Sequence, residues 1–367
     1  MAAPRILLIH LFSNGDCLYA TTVAKQIKAD HPNCQLTWAI ARNCRSMILN
    51  NPDVDEVWEI DMPPGEDKDK IFSDILQEAA NKKNQGVFDE VFCSQVLGDN
   101  WVHYDSCVRT SIYRCYGRPI TVSKRPVLIL TQQEKDRALA FARENNLTSY
   151  NNVILYECAP LSGQAKMTDE FVTSLAGSLT DIPRTAVVLS SAKKFSINKS
   201  GVIDGSGLSI RETVALAYHC NLLLGCSSGI TWAVHSQQEL TLPSVQLLDR
   251  KAFIYNPPSI AMNRAGEDHG HVLELFSFSV NLVSAVVKSA LTEGFLVSRK
   301  KFDQPARKQF RVFRGIVHRF VHNKQWRLLA RFARMNLREH GLHPAMLFKI
   351  AQGFLLYPIQ SRLNRNA

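Results

Sequence analysis

The chain has 367 residues, 46% hydrophobic and 21% charged, with a formal net charge of +10. That is globular composition with length for two or three domains, and it excludes a disordered or low-complexity chain. The lack of any run of ~18 apolar residues excludes a spanning helix, and nine scattered cysteines with no C-x-x-C pair read as a reduced, cytosolic protein without zinc fingers or a disulfide framework.

In chain order, Ile6–His10 reads as a strand, too short an apolar run for a signal peptide. The polar turn Ser13-Asn14-Gly15-Asp16 follows. A helix then carries Ala20, Val23, Ala24 and Ile27 on one face, and His31-Pro32-Asn33 ends it. Leu36–Ile40 is a second strand, Ala41–Leu49 a helix, Val57–Ile60 a third strand, and Ile71 to Ala79 mark another helix. Val91–Cys93 and Val127–Leu130 read as further strands. Thr131-Gln132-Gln133-Glu134 is a capping box opening a helix to about Asn145. A second alternating unit follows. Its strands are Val153–Tyr156, Ala186–Leu189, Leu222–Leu224 and Val245–Leu248. Its helices lie around Phe171–Leu179, after the capping box Ser209-Ile210-Arg211-Glu212, from Ile230, and over Val280–Leu291. Such alternation predicts an α/β chain of two Rossmann-like, doubly wound domains, residues 1–147 and 148–298, with ligands bound between the carboxyl ends of their strands.

Residues 299–367 differ. They hold 16 Lys and Arg against two acids, Asp303 and Glu339, a net +14 that leaves the rest of the chain mildly acidic. Phe310, Phe313, Phe320, Trp326 and Phe332 interleave with arginines, which predicts basic amphipathic helices. Three uses compete: an anchor on an anionic membrane surface, nucleic-acid binding, and a helical cap on the body. The first and third are compatible, and nucleic acid is not expected.

Two loops carry candidate chemistry. Ser13–Asp16 links the first strand to the first helix, so Asp16 faces the cleft as a general base or serves as a helix N-cap. It lacks the G-x-G-x-x-G and G-K-[ST] spacings of dinucleotide and P-loop sites. Gly225-Cys226-Ser227-Ser228-Gly229 links a strand to a helix whose free N–H groups suit phosphate, although a plain turn with Ser228 as cap reads the same locally.

These segments resemble the GT-B glycosyltransferases of family nine, the bacterial heptosyltransferase family, over roughly residues 5–290. The resemblance rests on Arg5–Ile9 through Gly15-Asp16, on Asn51-Pro52-Asp53-Val54-Asp55-Glu56-Val57, on Lys166, and on Ser209 to Gly229, which ends like the family's D-[ST]-G-x-x-H pattern. It implies Asp16 as the base that deprotonates an acceptor hydroxyl. Ser162, Lys166, Ser227, Ser228, Gly229 and Trp232 would lie at the donor and its diphosphate, and Glu212 at the nucleotide or only in its capping box. Asn14 and Gly15 would lie on the acceptor side, and Arg109 and Arg114 would either face an anionic acceptor there or form a solvated helix face. Ser227 and Trp232 stand where the family has Asp and His, which puts ADP-heptose in doubt as the donor. No metal or cofactor is implied, since Asp53-Val54-Asp55 and Asp67-Lys68-Asp69 read as structural or surface pairs.

The implied activity is inverting transfer of a sugar, heptose or another hexose-like sugar, from a nucleotide diphosphate to a lipopolysaccharide or related lipid-linked glycan. It would take place at the inner face of the cytoplasmic membrane, with residues 299–367 on the anionic surface. The alternatives are a nucleotide-sugar epimerase of the same shape and a catalytically inactive nucleotide-sugar-binding or interaction protein.

Overall fold

The computed structural model describes residues 3–63, 65–160, 163–165, 167–252 and 255–363, and of 356–363 only the backbone. The first half holds β1 (Arg5–Ile9), α1 (Asn14–Asp30), β2 (Gln35–Ala41), β3 (Glu56–Ile60), α2 (Lys68–Asn84), β4 (Glu90–Cys93) and α3 (Val108–Cys115). Its four strands are all parallel, in the order β3-β2-β1-β4. Ile6 to Ile9 are buried without alternation, because helices cover both faces of such a sheet.

The second half begins with α4 (Gln132–Glu144) and continues through β5 (Asn152–Glu157), α5 (Asp169–Leu179), β6 (Thr185–Ser190), β7 (Val202–Asp204) and α6 (Ile210–Leu216). Then come β8 (Leu222–Gly225), α7 (Gly229–Ser236), β9 (Ser244–Leu247), α8 (Pro258–Ala265), β10 (Val272–Leu275) and α9 (Val280–Thr292). Its six parallel strands run β10-β9-β8-β5-β6-β7. In each sheet the chain reverses direction beside its first strand, between β1 and β4 and between β5 and β8. Those reversals place the loops after β1, β5 and β8 at the crevices where ligands bind.

Several expectations need correction. Ala41–Leu49 is not an α-helix but a 3₁₀ segment over Arg42–Ile48. Val127–Leu130 joins no sheet; Val127 N instead donates to Thr21 Oγ1 on α1 at 2.9 Å. The boundary expected at 147/148 falls after α4, yet α4 packs on α6 of the second sheet. The reason is Arg211 on α6, which is buried and donates to Glu134 at 3.0 Å and to Ser46 O at 3.0 Å. Both capping boxes form, at Thr131–Glu134 and Ser209–Glu212.

Residues 295–363 fold as α10 (Phe295–Phe302), α11 (Arg311–His322), α12 (Trp326–His340) and α13 (Pro344–Leu363). They cap the body. Phe313 packs against Tyr104 and Phe332, with ring centroids 6.1 and 4.9 Å apart. Asn336 donates to Tyr104 O at 3.1 Å, and Glu339 receives Arg114 at 2.8 Å and Arg264 at 3.4 Å. Gly353 lets α13 lie directly on α11, since a Cβ there would meet Val317 Cβ at 2.6 Å. Among the described residues no helix is long and apolar enough to cross a membrane.

The two sheets are joined by buried ion pairs. Asp105, fully buried, takes Arg264 at 2.7 Å as well as Arg114. Arg109, also fully buried, donates to Glu267 at 2.7 Å and to Tyr113 Oη at 2.9 Å. Its guanidinium lies 5.2 Å from the Tyr19 ring and 6.0 Å from that of Trp232. Removing one partner of such a pair strands a buried charge. Arg109→Met should therefore cost about 3 kcal/mol of unfolding free energy. Chemical denaturation of the variant against wild type checks this.

Candidate active site

A cavity of about 670 Å³ opens between the two sheets. One wall is the loop after β1 and the start of α1. Gln95, just after β4, holds that loop by accepting from Leu11 N and Phe12 N, both at 2.9 Å. Ser13 then turns the chain in the left-handed region at φ 71°, and Cys17 N closes on Ser13 O at 2.9 Å. Asn14, Gly15 and Asp16 all line the cavity from this first turn.

The Asp16 carboxylate has no hydrogen bond or ion pair among the described residues, so it does not act as an N-cap. It keeps part of its surface open to the cleft, but the surrounding protein lifts its carboxyl to about 7 by burial. A carboxyl poised near neutrality and free of partners is suited to accept a proton.

The opposite wall is built from the ends of β5 and β8 and the start of α7. Ser227 takes the left-handed region at φ 54°, donates from Oγ to Asn256 O at 2.5 Å, and donates from N to Gln246 Oε1 at 2.8 Å. Ser228 occupies the N-cap position but makes no side-chain cap. Its hydroxyl donates instead to Glu157, the last residue of β5, whose carboxylate also receives Thr231 Oγ1 and Cys226 Sγ, each at 3.5 Å. The first intrahelical bond of α7 runs from Trp232 N to Ser228 O. The N–H groups of Gly229, Ile230 and Thr231 therefore have no acceptor among the described residues, and the helix points a positive end at the cleft.

The two walls approach most tightly where α1 and α7 begin. A Cβ on Gly229 would lie 2.8 Å from Asn14 Cβ, and one on Gly15 would lie 3.4 Å from Trp232. Only glycine at 229 allows the starts of α1 and α7 to approach this closely. The result is a carboxylate on one helix start facing free amides on the other.

The remaining sequence candidates divide. Ser227, Ser228 and Gly229 line the cavity. Trp232 also borders it, but it is 2% exposed, its ring 4.9 Å from Tyr19, so most of its surface seals the two halves together. Glu212 does not line the cavity; its carboxylate caps Ser209 N at 2.7 Å. Arg109 and Arg114 do not face an acceptor, because Glu267, Asp105 and Glu339 consume them. Asp55 pairs with Lys28, and Asp67 caps α2 by accepting from Asp69 N at 2.9 Å. Ser162 and Lys166 lie outside the described residues.

Sequence reasoning missed Glu157 and Lys68. Lys68 is the one cation among the described residues lining the cavity. The available signal for Glu157 was an acid ending the apolar run Val153-Ile154-Leu155-Tyr156, since strand ends at a sheet reversal carry function.

No protein-family model and no curated protein matches the sequence. Solved structures do match the fold, which is that of two-domain GT-B glycosyltransferases. A glycosyl transferase family 9 protein from Veillonella parvula aligns at TM-score 0.54 and 15% identity, over 82% of this chain and 96% of that one. The ADP-heptose LPS heptosyltransferase II of E. coli aligns at 0.54 and 16% identity, over 79% and 99%. Nearly all of each relative is used, while about a fifth of this chain stays outside the match.

Ionising Asp16 is penalised in the folded state only. Its carboxyl sits at about 7 when folded against an ordinary 3.8, so the penalty is absent below pH ~4 and grows as pH rises towards 7. Asp16→Asn should therefore raise the melting temperature at pH 8, with the gain shrinking to nothing near pH 4. Melting curves of both proteins across that range check the sign.

Proposed function

We propose that the chain is an inverting glycosyltransferase that moves a sugar from a nucleotide diphosphate donor to a hydroxyl of a lipopolysaccharide or related surface glycan. The observation that carries this reading is the Asp16 carboxylate on α1, unpartnered among the described residues, opposite the uncapped amides of α7, across one cleft. The fold shared with glycosyltransferases supports it.

In the proposed reaction Asp16 takes the proton of the acceptor hydroxyl. The oxygen attacks the anomeric carbon as its bond to the diphosphate breaks, which inverts the configuration. The amides of Gly229 and Ile230 and the positive end of α7 meet the charge that grows on the leaving diphosphate, with Lys166 and Ser162 beside them. Asn14 and Gly15 border the acceptor. No metal or cofactor takes part. The donor sugar is heptose or another hexose-like sugar.

An anionic membrane surface is the proposed location, on the cytoplasmic side. Arg327, Arg331, Arg334 and Arg338 recur along the exposed face of α12, flanked by exposed Trp326 and Leu337, and no acid pairs with them among the described residues. Both acids of the tail are engaged elsewhere, Asp303 by Glu274 N and Glu339 by Arg114 and Arg264. On α13, Leu347, Phe348, Phe354 and Leu355 form an exposed apolar face. Apolar insertion beside basic charge is how a helix lies on an anionic bilayer.

Three measurements test the reading. A nucleotide sugar at 100 times its dissociation constant should add ~2.7 kcal/mol of stability, seen as a melting shift that weakens in Lys166→Ala. No shift with any nucleotide sugar would favour the interaction-protein alternative. Asp16→Asn should lower transfer by about 10²–10⁴-fold while donor binding persists. Replacing the four arginines of α12 with Glu should abolish flotation with phosphatidylglycerol vesicles, at ~1 kcal/mol for each charge removed. Equal flotation of both proteins would refute the membrane surface.

A further inference from the structure

Glu157 is a carboxylate in the wrong place for a site that takes an anion. It is 3% exposed, ends β5, and sits against the positive end of α7, the wall to which the proposed function assigns the diphosphate. Its oxygens receive Ser228 and Thr231 from α7 and Cys226 from the turn after β8. Cys158 follows it directly after β5, and Asp16 faces the same cavity from α1. None of these neighbours is a cation. An ionised Glu157 and a docked diphosphate would repel each other in a site partly shielded from water. Ser228, at the N-cap position of α7, meanwhile spends its hydroxyl proton on Glu157 and makes no side-chain cap on the helix.

Both conflicts disappear with one proton. We propose that Glu157 is the charge gate of the donor subsite: it holds the Ser228 hydroxyl before the donor arrives, and it takes up a proton when a nucleoside diphosphate sugar docks on α7. The proton comes from solvent and stays on a Glu157 oxygen, which then donates to Ser228 Oγ. Ser228 reverses and donates its own proton to a diphosphate oxygen. No covalent bond to carbon or phosphorus changes, and the complex carries one more proton than its separated parts. Burial already pushes the Glu157 carboxyl above the usual carboxylate range, so the uptake starts from a group inclined to it. Glu157 thus acts through Ser228 as a positioning residue, and it makes donor affinity fall as pH rises.

This inference rests on the glycosyltransferase reading, and its test separates the two. ADP-, UDP- and GDP-sugars are suitable probes because their diphosphates do not titrate between pH 5 and 9. They are titrated calorimetrically into the full-length chain and into Glu157→Gln, at pH 6 and pH 8.5 and in buffers of different ionisation enthalpy. Both proteins carry Asp16→Asn, which removes the other carboxyl lining the cavity among the described residues. The parent should bind its donor at least tenfold more weakly at pH 8.5 than at pH 6, with uptake of about one proton. Glu157→Gln should bind equally at both, at least as tightly as the parent at pH 6, with no uptake. Glu157→Gln that keeps the pH dependence, or that weakens binding at both pH values with an unchanged melting curve, overturns the gate while leaving the donor site in place. A parent that binds none of the sugars overturns the glycosyltransferase reading, and the gate with it.

Discussion

The active-site geometry depends on how closely two helix starts approach each other. α1 and α7 begin at the carboxyl ends of different sheets, and they meet where Gly229 leaves no room for a side chain against Asn14. Each brings one thing the other lacks. Among the described residues, α1 brings a carboxylate with no partner, and α7 brings amides with no acceptor. Separated by a few ångströms more, these would be two unremarkable helix ends. Held together, they bound one cavity, as the proposed transfer requires: a proton acceptor for a hydroxyl on one side and a positive helix end for a leaving anion on the other.

That approach is maintained by charges that never reach the ligand. Arg109 reaches from α3 to Glu267 and stacks beside Tyr19 and Trp232; Arg264 reaches back to Asp105; Arg211 ties α6 to Glu134. Such pairs contribute little net stability compared with apolar packing, but breaking one is costly, so they specify a single arrangement of the two halves. The tail extends the same network through Glu339, which joins Arg114 and Arg264 from opposite halves. A basic segment that looks detachable in the sequence is therefore part of the clamp, with its remaining arginines left on the outer face of α12.

Sequence patterning made the fold largely legible, because apolar strands, helical periodicity and two capping boxes are local signals. β7 and β10 were not: each is only three or four residues long. The packing of α4 on α6 was not legible, since the Arg211–Glu134 pair that joins them spans 77 residues. Asp16 and Gly229 were legible because their loops follow apolar strands. Arg109 and Arg114 were read as acceptor contacts, while their partners Glu267, Asp105 and Glu339 come from other elements. A charged residue near a ligand site reads as a ligand contact, and nothing in the local sequence reveals a buried counter-charge supplied by a distant element. Glu267 lies 158 residues from Arg109, and Ser228 lies 71 from Glu157.

The central claim is that the uncapped start of α7 receives the donor's diphosphate. Amide hydrogen exchange of residues 226–232, measured with and without a saturating nucleotide sugar, tests it directly. The account predicts fast exchange at Gly229, Ile230 and Thr231 in the free protein and marked slowing in the complex. A nucleotide sugar that binds while exchange at these three amides stays unchanged would contradict it.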